Sequence, residues 1–267
     1  MNDRETSISI IVPSLNQGQF ISQTIDSILT QQYGNVEVIV VDGGSEDNTI
    51  EILRSYGEKI LWSSEKDNGQ SDAINKGLRL ASGDILGYLN SDDYLLPGSL
   101  QKINICFQES RADWISGDGI IVDENSVEIQ KAIRAYKNFL RSLSIEHLFY
   151  ITDYLVQPST FWKREIFEKA GYFDEKLHFS MDYDYWFRLY TLSRPHVLRE
   201  AISAFRIHPA SKGGMNYRKQ ISEELLLLRK YSDNKVVYFL HKTHSAFVAF
   251  VYYFIKDMRF KRIKVKS

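Results

Sequence analysis

The sequence predicts an α/β fold in which a mainly parallel central sheet is covered by helices on both faces. Two observations support this prediction. In the first half of the chain, short runs rich in β-branched residues alternate with segments of helical periodicity, as in successive strand–helix–strand units. The run Val36–Val41 is apolar except for Glu37, as expected for a strand that is buried on both sides over most of its length.

Each element of the first half follows from its own pattern. Strands are predicted where apolar runs are short, and helices where apolar residues recur every three or four positions. In the first helix, Ile21, Ile25 and Ile28 fall on one face. In chain order, the predicted elements are strand Ile8–Val12, helix Phe20–Thr30, strand Val36–Val41, helix Asn48–Tyr56, strand Ile60–Trp62, helix Ser71–Ala81 and strand Ile85–Leu89.

The second half of the chain is less regular. Residues 114–134 are expected to form a pair of strands around the turn at 123–126, and Phe161–Ala170 a helix that ends at Gly171. The aromatic-rich segment 179–190 begins another helix, and helices follow from Tyr217 onwards. No Pro-, Gly- or Ser-rich linker precedes them. We therefore predict one domain over residues 1–215 and a packed helical C-terminal extension over residues 216–267.

Composition and charge exclude several classes of protein. Hydrophobic residues make up 43% of the chain and charged residues 25%, which is typical of a folded soluble protein. The net charge of −1 gives no overall attraction for nucleic acid, so no such partner is expected. The single cysteine, Cys106, excludes an intrachain disulfide and a cysteine-rich zinc site, and it favours a reducing compartment. With no recognisable secretory signal and no run of about 20 apolar residues, a cytoplasmic protein is expected.

Polar side chains follow every predicted strand of the first half. Ser14 follows the first strand, Asp42 the second, Asp67 the third, and Asp92 and Asp93 the fourth. Any one of them could cap a helix or form a turn. Because the carboxyl ends of parallel strands meet at one edge of a sheet, where ligands bind, their convergence indicates a functional cleft.

The glycine pattern argues against a dinucleotide or P-loop site. The turn after the first strand, PSLNQGQF, holds one glycine, and no GxxxxGK[ST] loop occurs. A diphosphate would therefore need another partner, and a metal ion is the obvious one. Asp92 and Asp93 offer the carboxylate oxygens that Mg²⁺ or Mn²⁺ prefers. For an isolated Ser-Asp-Asp, a turn before a helix near Pro97 is the plain alternative.

Three segments carry a resemblance to a known family. SIIVPSLNQGQFISQTIDSILTQQYGNVEVIVVDGGSEDNT, DNGQSDAINKGLRLASGDILGYLNSDD and GYFDEKLHFSMDYDYWFRL occur in the same order in the family-two nucleotide-sugar glycosyltransferases. The chain resembles that family from about Ser7 to about Lys212. The resemblance implies a GT-A fold, which is Rossmann-like, with a C-terminal helical extension.

The resemblance also implies roles for individual residues. Asp182 corresponds to the family's general base, with Asp184 as the alternative within the same segment. Asp93 corresponds to the acid that binds the metal, and His208 to a position that contacts the metal or the leaving diphosphate. The donor-binding positions are Pro13, Ser14, Asp42, Gly69, Gln70, Asp72, Asn75 and Asp92, of which Asp92 faces the ribose and the sugar.

The activity implied is a divalent-metal-dependent (Mn²⁺ or Mg²⁺), inverting hexosyl transfer. The donor would be a UDP-, GDP- or dTDP-sugar, and the acceptor a glycan or lipid-linked glycan of bacterial-type surface polysaccharide synthesis. One carboxylate suffices as base for a direct displacement. Two alternatives remain: a non-catalytic nucleotide-sugar or glycan-binding module of the same fold, and a sugar-nucleotidyltransferase, which would need a Gly-rich basic loop after the first strand.

The chain departs from the family pattern at three positions. Gly43 stands where a second acid is common, Ile74 where an Arg is frequent, and Met181 where a Glu often precedes the base. The first two bear on the base and sugar of the donor. The third bears on the assignment of Asp182.

The C-terminal sequence combines an apolar, aromatic segment with a basic end. Such a pattern suits peripheral contact with an anionic membrane, here on the cytoplasmic face, without spanning it. A packed C-terminal helix with a solvated charged end is the equal alternative. The basic residues are Lys256, Arg259, Lys261, Arg262, Lys264 and Lys266, against the single acid Asp257.

Overall fold

A computed structural model of the chain describes residues 5–143, 145–211 and 217–264. For residues 146, 217, 218 and 252–264 it describes the backbone only. The strands are β1 Ile8–Ser14, β2 Val36–Asp42, β3 Leu61–Ser64, β4 Ile85–Tyr88, β5 Tyr94–Leu95, β6 Trp114–Val122, β7 Thr160–Lys163 and β8 His196–Arg206. The helices are α1 Ile21–Leu29, α2 Thr49–Ser55, α3 Gln70–Leu80, α4 Ser99–Ser110, α5 Lys131–Ser142, α6 Glu146–Ile151, α7 Arg164–Ala170, α8 Met181–Leu192, α9 Tyr217–Tyr231 and α10 Lys235–Lys264.

The strands of the described chain form one sheet in the order β3-β2-β1-β4-β7-β6-β8-β5. The first four pair in parallel, whereas β7 runs antiparallel to both β4 and β6. Strand β8 is parallel to β6 and antiparallel to the short β5. The predicted α/β fold with a mainly parallel sheet is confirmed for the first half, and the second half extends that sheet with mixed pairing.

Helices cover both faces of the sheet, and each face has its own core. Helices α1, α2 and α4 pack on one face, through residues such as Ile25, Leu53 and Phe107. Helices α3, α7, α8 and α9 pack on the other, through residues such as Ile74 and Trp186. In β1, Ile8, Ile10 and Val12 join one core and Ile11 joins the other, so the strand is buried on both faces.

Helix α3 lies unusually close to β1. A Cβ atom at Gly77 would lie 2.4 Å from Cγ2 of Ile11, so only glycine permits this approach. The close contact fixes the height of α3 above the sheet and therefore the position of its N-terminus at the strand ends.

Two predictions for the second half are wrong. Residues 114–134 form one strand, β6, an isolated bridge between Val122 and Glu128, and the start of α5. The predicted helix Phe161–Ala170 begins only at Arg164, because residues 160–163 form β7 and pair on both sides. The apolar residues of a buried strand followed at once by a helix imitate helical periodicity.

The helices after residue 216 pack on the rest of the chain. Lys230 and Tyr231 of α9 donate hydrogen bonds of 2.8 Å to Asp184 of α8, and His241 of α10 contacts the Tyr150 carbonyl of α6 at 3.1 Å. The predicted boundary at 215/216 falls outside the described residues, and the division into two domains stays a prediction. Among the described helices, none is long and apolar enough to cross a membrane.

Candidate active site

The carboxyl ends of β1, β2 and β3 meet in register, with Ser14 opposite Asp42 and Asp42 opposite Ser64. The Ser14 hydroxyl is buried and has no hydrogen-bond partner, which suits the donor contact predicted for it beside Pro13. Asp42 is fully buried and accepts hydrogen bonds from the Gly44 and Ser45 amides and from the Ser64 hydroxyl. Asp42 therefore holds the turn together, and the nucleoside contact predicted for it stays a prediction.

Gly43 faces the carboxylate of Asp67. A Cβ atom at residue 43 would lie 2.6 Å from Oδ2 of Asp67, so Asp67 fills the space that a side chain there would need. Asp67 also accepts a 2.8 Å hydrogen bond from the amide of Gly69, which has φ +113°. The acid missing at position 43 is thus replaced in space by an acid from the β3–α3 loop.

The N-terminus of α3 is organised by amide and carboxylate side chains. Gln70 donates a 2.6 Å hydrogen bond to Oδ1 of Asn90, whose amide donates to Gln157 at 3.1 Å. Asp72 accepts from the Asn68 amide at 3.0 Å, and this bond, with the nearby Lys76 charge, holds the pKa of Asp72 below its ordinary value against the opposing effect of burial.

Asn75 is almost fully buried, and both ends of its amide are engaged. It donates to the Phe173 carbonyl and to Glu175, each at 2.9 Å, and accepts from the Phe173 amide at 2.8 Å. Asn75 therefore fastens α3 to the loop before α8. Direct donor binding by Asn75 stays a prediction beside this observed positioning contact.

The two acids after β4 have different surroundings. Asp92 Oδ2 lies 3.0 Å from Nε2 of His208, and its side chain is 18% exposed. Asp93 is 1% exposed, and its carboxylate accepts hydrogen bonds from the Arg206 amide at 2.8 Å and from Asn90 at 3.1 Å. Burial, helped by the charge of Asp92, raises the pKa of Asp93 well above its ordinary value. Asp92 is therefore the more accessible of the two acids, and the metal contact predicted for Asp93 stays a prediction.

Arg206 is a buried residue that sequence analysis did not identify. Its guanidinium donates to the Asp92 carbonyl at 2.8 Å and to Gln23 at 2.6 Å, and it lies 4.7 Å from the ring centroid of Phe20. Its position at the end of β8 holds the Asp92–Asp93 turn in place. The sequence did carry a signal for Arg206, because this charged residue follows a mainly apolar stretch and stands two positions before His208.

The other two departures from the family pattern are accounted for by packing. Ile74 is fully buried in the core between α3 and the sheet. Met181 is buried, and the Ser71 hydroxyl points at its sulfur at 2.8 Å. Both residues therefore join α3 to neighbouring elements and offer no charge to a ligand.

Asp182 and Asp184 lie in the same helical turn but have different surroundings. Asp184 is fully buried and accepts hydrogen bonds from Arg188, Lys230 and Tyr231. Asp182 lines a cavity of about 330 Å³, and burial raises its pKa to about 6. Of the two, only Asp182 faces a space where an acceptor could bind.

The cavity brings together side chains from distant parts of the sequence. Asp153, Glu224 and Lys137 line it with Asp182. Burial, together with the charge of Asp182, raises the pKa of Asp153 to about 7. Sequence analysis missed Asp153 and Glu224, because no motif surrounds either one.

Asp118 also lines the cavity. It lies within β6, is buried, and accepts hydrogen bonds from Arg134 at 2.6 and 3.0 Å. This ion pair ties α5 to the sheet and holds one wall of the cavity.

The segment before α8 is held by a carboxylate from α9. Glu223 accepts hydrogen bonds from the amides of His178, Phe179 and Ser180, at 2.9, 2.6 and 2.6 Å. Ser180 is the N-cap residue of α8, whose first turn carries Asp182. Glu223 therefore sets the start of the helix that presents the candidate base, at the end where a negative charge is most favourable.

The cavity and the Asp92–His208 pair are joined at two points. Ser211, which lines the cavity, accepts a 2.9 Å hydrogen bond from the His208 amide. Gln157 lines the cavity and bonds both Asn90 and the Tyr88 carbonyl at the end of β4. Hydrogen bonds therefore link the cavity wall to the residues around the Asp92–His208 pair at the carboxyl edge of the sheet.

The sequence matches the family model for glycosyl transferase family 2 over residues 9–171, more than half of the chain. An uncharacterized glycosyltransferase of Rickettsia typhi (strain ATCC VR-144 / Wilmington) is 29% identical over 256 residues, covering 94% of this chain and 80% of the relative. The uncharacterized glycosyltransferase EpsJ of Bacillus subtilis (strain 168) is 26% identical over 250 residues, covering 88% and 70%.

Solved structures share the fold at low sequence identity. TarS 1-349 of S. aureus in complex with UDP-GlcNAc superposes with a TM-score of 0.67 at 19% identity, covering 90% of this chain and 69% of that one. This chain spans 41% of the longer TarS chain. The mannosyltransferase PcManGT of Pyrobaculum calidifontis, in complex with GDP-Man and Mn²⁺, has a TM-score of 0.63 at 19% identity, covering 91% and 70%.

Proposed function

This chain belongs to glycosyl transferase family 2, and from that premise we propose that it transfers a hexose from a nucleotide-sugar donor to a glycan or lipid-linked glycan with inversion, assisted by a divalent cation. The donor would be a UDP-, GDP- or dTDP-sugar, and the product part of a bacterial-type surface polysaccharide. The observation that carries this proposal is the hydrogen bond between His208 of the Asp92–His208 pair and Ser211, which lines the cavity that holds Asp182.

The residues at the end of β4 suit a cation. Within the described residues no group of three acidic, His or Cys side chains surrounds a metal position, so the protein would supply two ligands and the diphosphate and water the rest. Asp92 Oδ2 and His208 Nε2 lie 3.0 Å apart in a direct contact, and these two atoms would hold the cation. When bound there, Mn²⁺ or Mg²⁺ would neutralise charge on the leaving diphosphate.

The chain's own groups support donor binding on one side of that pair. The N-terminus of α3 presents backbone amides toward the strand ends, where a diphosphate is favoured. The unpaired Ser14 hydroxyl and the Asp67 carboxylate offer contacts to the nucleoside. PcManGT and TarS are described with GDP-Man and with UDP-GlcNAc, which supports this class of donor without choosing a base.

On the other side, Asp182 would take the proton of the acceptor hydroxyl. The acceptor oxygen then forms a bond to the anomeric carbon as the bond from that carbon to the diphosphate breaks, and the nucleoside diphosphate leaves. One carboxylate suffices for this displacement, and a pKa of about 6 keeps it ionised at neutral pH. Enclosure in the cavity strengthens its action as a base by limiting water.

The test is a panel of UDP-, GDP- and dTDP-sugars added to the full chain with and without Mn²⁺, followed by thermal denaturation and by release of nucleoside diphosphate in the presence of glycans. We expect one donor class to raise Tm only with the cation, and to be consumed. Stabilisation without any metal-dependent turnover would favour the binding-module alternative and contradict the proposed enzyme.

A further inference from the structure

The outer face of α10 is apolar and uncovered over four turns. Val236, Phe239, Leu240, Phe247 and Phe250 are 41–65% exposed. Their spacing of three, four or seven residues places them on one side of the helix. The opposite side is in contact with the protein, since His241 and Ser245 are buried and Val248 lines the cavity. A helix that is buried on one side and apolar on the other has an unmatched surface.

A second apolar stripe lies beside the first. Phe139 and Leu143 are 60% and 39% exposed at the end of α5, and Ile145 follows at 47%. The two helices meet where the Tyr136 hydroxyl lies 2.8 Å from Nε2 of His244, with the two rings 6.1 Å apart. The exposed stripes of α5 and α10 therefore form one surface, which we call the α5–α10 face.

Charge identifies the occupant of this face. Lys235 and Lys242 are exposed at its border, and the sequence after Phe250 adds Lys256, Arg259, Lys261, Arg262, Lys264 and Lys266 against Asp257 alone. Anionic headgroups attract these positive charges, while apolar side chains enter the boundary between headgroups and acyl chains.

We propose that the α5–α10 face docks on an anionic membrane surface, with α10 lying in the interface rather than crossing it. Val248 and Ala249, on the inner side of α10, line the cavity that contains Asp182, while Phe247 and Phe250 are on the outer side. Docking would hold the cavity about one helix diameter, ~10 Å, from the lipid. The proposal does not depend on the transfer reaction, because vesicle binding is measured without substrates.

The experiment is co-sedimentation of the full chain with phosphatidylcholine vesicles, with or without phosphatidylglycerol, at low and high salt. The wild type should sediment with the anionic vesicles, less at high salt, and weakly with the neutral ones. The variant Phe247→Glu/Phe250→Glu should lose binding by at least about tenfold, because two aromatic side chains leave the lipid and two negative charges replace them.

The control is Leu61→Glu/Leu80→Glu, which changes two leucines that are 50% and 51% exposed on other elements and should bind as the wild type does. Because all four positions are exposed, both variants should keep the wild-type Tm, and Phe247→Leu/Phe250→Leu should retain binding. Three results would overturn the proposal: a wild type that stays in the supernatant with anionic vesicles, a Phe247→Glu/Phe250→Glu variant that sediments like the wild type, or a dimer in solution that this variant dissociates.

Discussion

The two sides of the cleft are built from different kinds of sequence. In the proposed reaction, the donor side is formed by the ends of β1, β2, β3 and β4, all within residues 8–93, and its polar residues occur in short motifs directly after those strands. The acceptor side collects Asp153, Asp182 and Glu224 from α8, α9 and the segment after α6. A parallel sheet brings its strand ends together whatever the details of packing. The acceptor side, in contrast, forms only when α5, α8, α9 and α10 have packed around the cavity.

The largest effect is expected on the acceptor side. Asp182→Asn should lower transfer about 10²- to 10⁴-fold while donor binding is kept, because the amide cannot take the acceptor proton. Steady-state transfer and donor titration measure the two separately. In the control Asp184→Asn, turnover per folded molecule should be unchanged and the free energy of unfolding should fall by about 3 kcal/mol, since a buried, triply bonded charge is removed. If Asp182→Asn lost donor affinity instead, Asp182 would be a donor-binding residue and not the base.

The next effect concerns the two acids of the donor side. Asp92→Asn should weaken Mn²⁺ binding, measured with nucleoside diphosphate present, by at least about tenfold. Asp93→Asn should leave that affinity unchanged, because its oxygens already accept from the Arg206 amide and from Asn90. If Asp93→Asn alone abolished Mn²⁺ binding, the assignment made from the sequence would be right and the present one wrong.

A smaller effect is expected from the residue that holds the start of α8. In Glu223→Gln, part of the charge-assisted bonding to the amides of residues 178–180 is lost, and kcat should fall about tenfold with the donor KM unchanged. The change Leu226→Gln, at a 66% exposed position of the same helix, is the matched control for stability, since it leaves those three bonds in place. A fall in Tm without a change in kcat would make Glu223 a purely structural residue.

The smallest expected effect is a shift of the pH–rate profile. The charge of Glu224 adds to burial in raising the pKa of Asp182 to about 6, so the rate of the wild type should fall as the pH drops through 6. Removing that charge in Glu224→Gln lowers the pKa of Asp182, so the acid limb of the pH–rate profile should move to lower pH by about half a unit. An acid limb that stays in place or moves upward would contradict the assignment of Asp182 as the base.

The comparison also explains how far the sequence could be interpreted. The predicted strands and helices up to Tyr88 agree with the structure to within two residues at each boundary, because each has a mainly apolar run or a clear helical face. Strand β8 was missed, because its first residues are exposed and include Arg199 and Glu200. Glu223 and Glu224 differ only in which neighbour each faces, and nothing in the sequence records that difference.

The difference between the surroundings of Asp92 and Asp93 has the same physical cause. Both residues have the same chemistry and adjacent positions, so spacing alone cannot assign one of them to the cation. Their surroundings depend on β8, because the Arg206 amide donates a hydrogen bond to Asp93 and the residues after β8 bring His208 to Asp92. Long-range pairing of this kind is absent from a local motif.

The contact between Glu223 and residues 178–180 has a consequence for biosynthesis. As the chain leaves the ribosome, the strands of the donor side and the whole of α8 emerge before Glu223 does. The nascent protein can therefore complete its donor side while the amides before α8 still lack their carboxylate partner. In the proposed enzyme, the segment that presents Asp182 would therefore be set late in the maturation of this chain, only after α9 has been made.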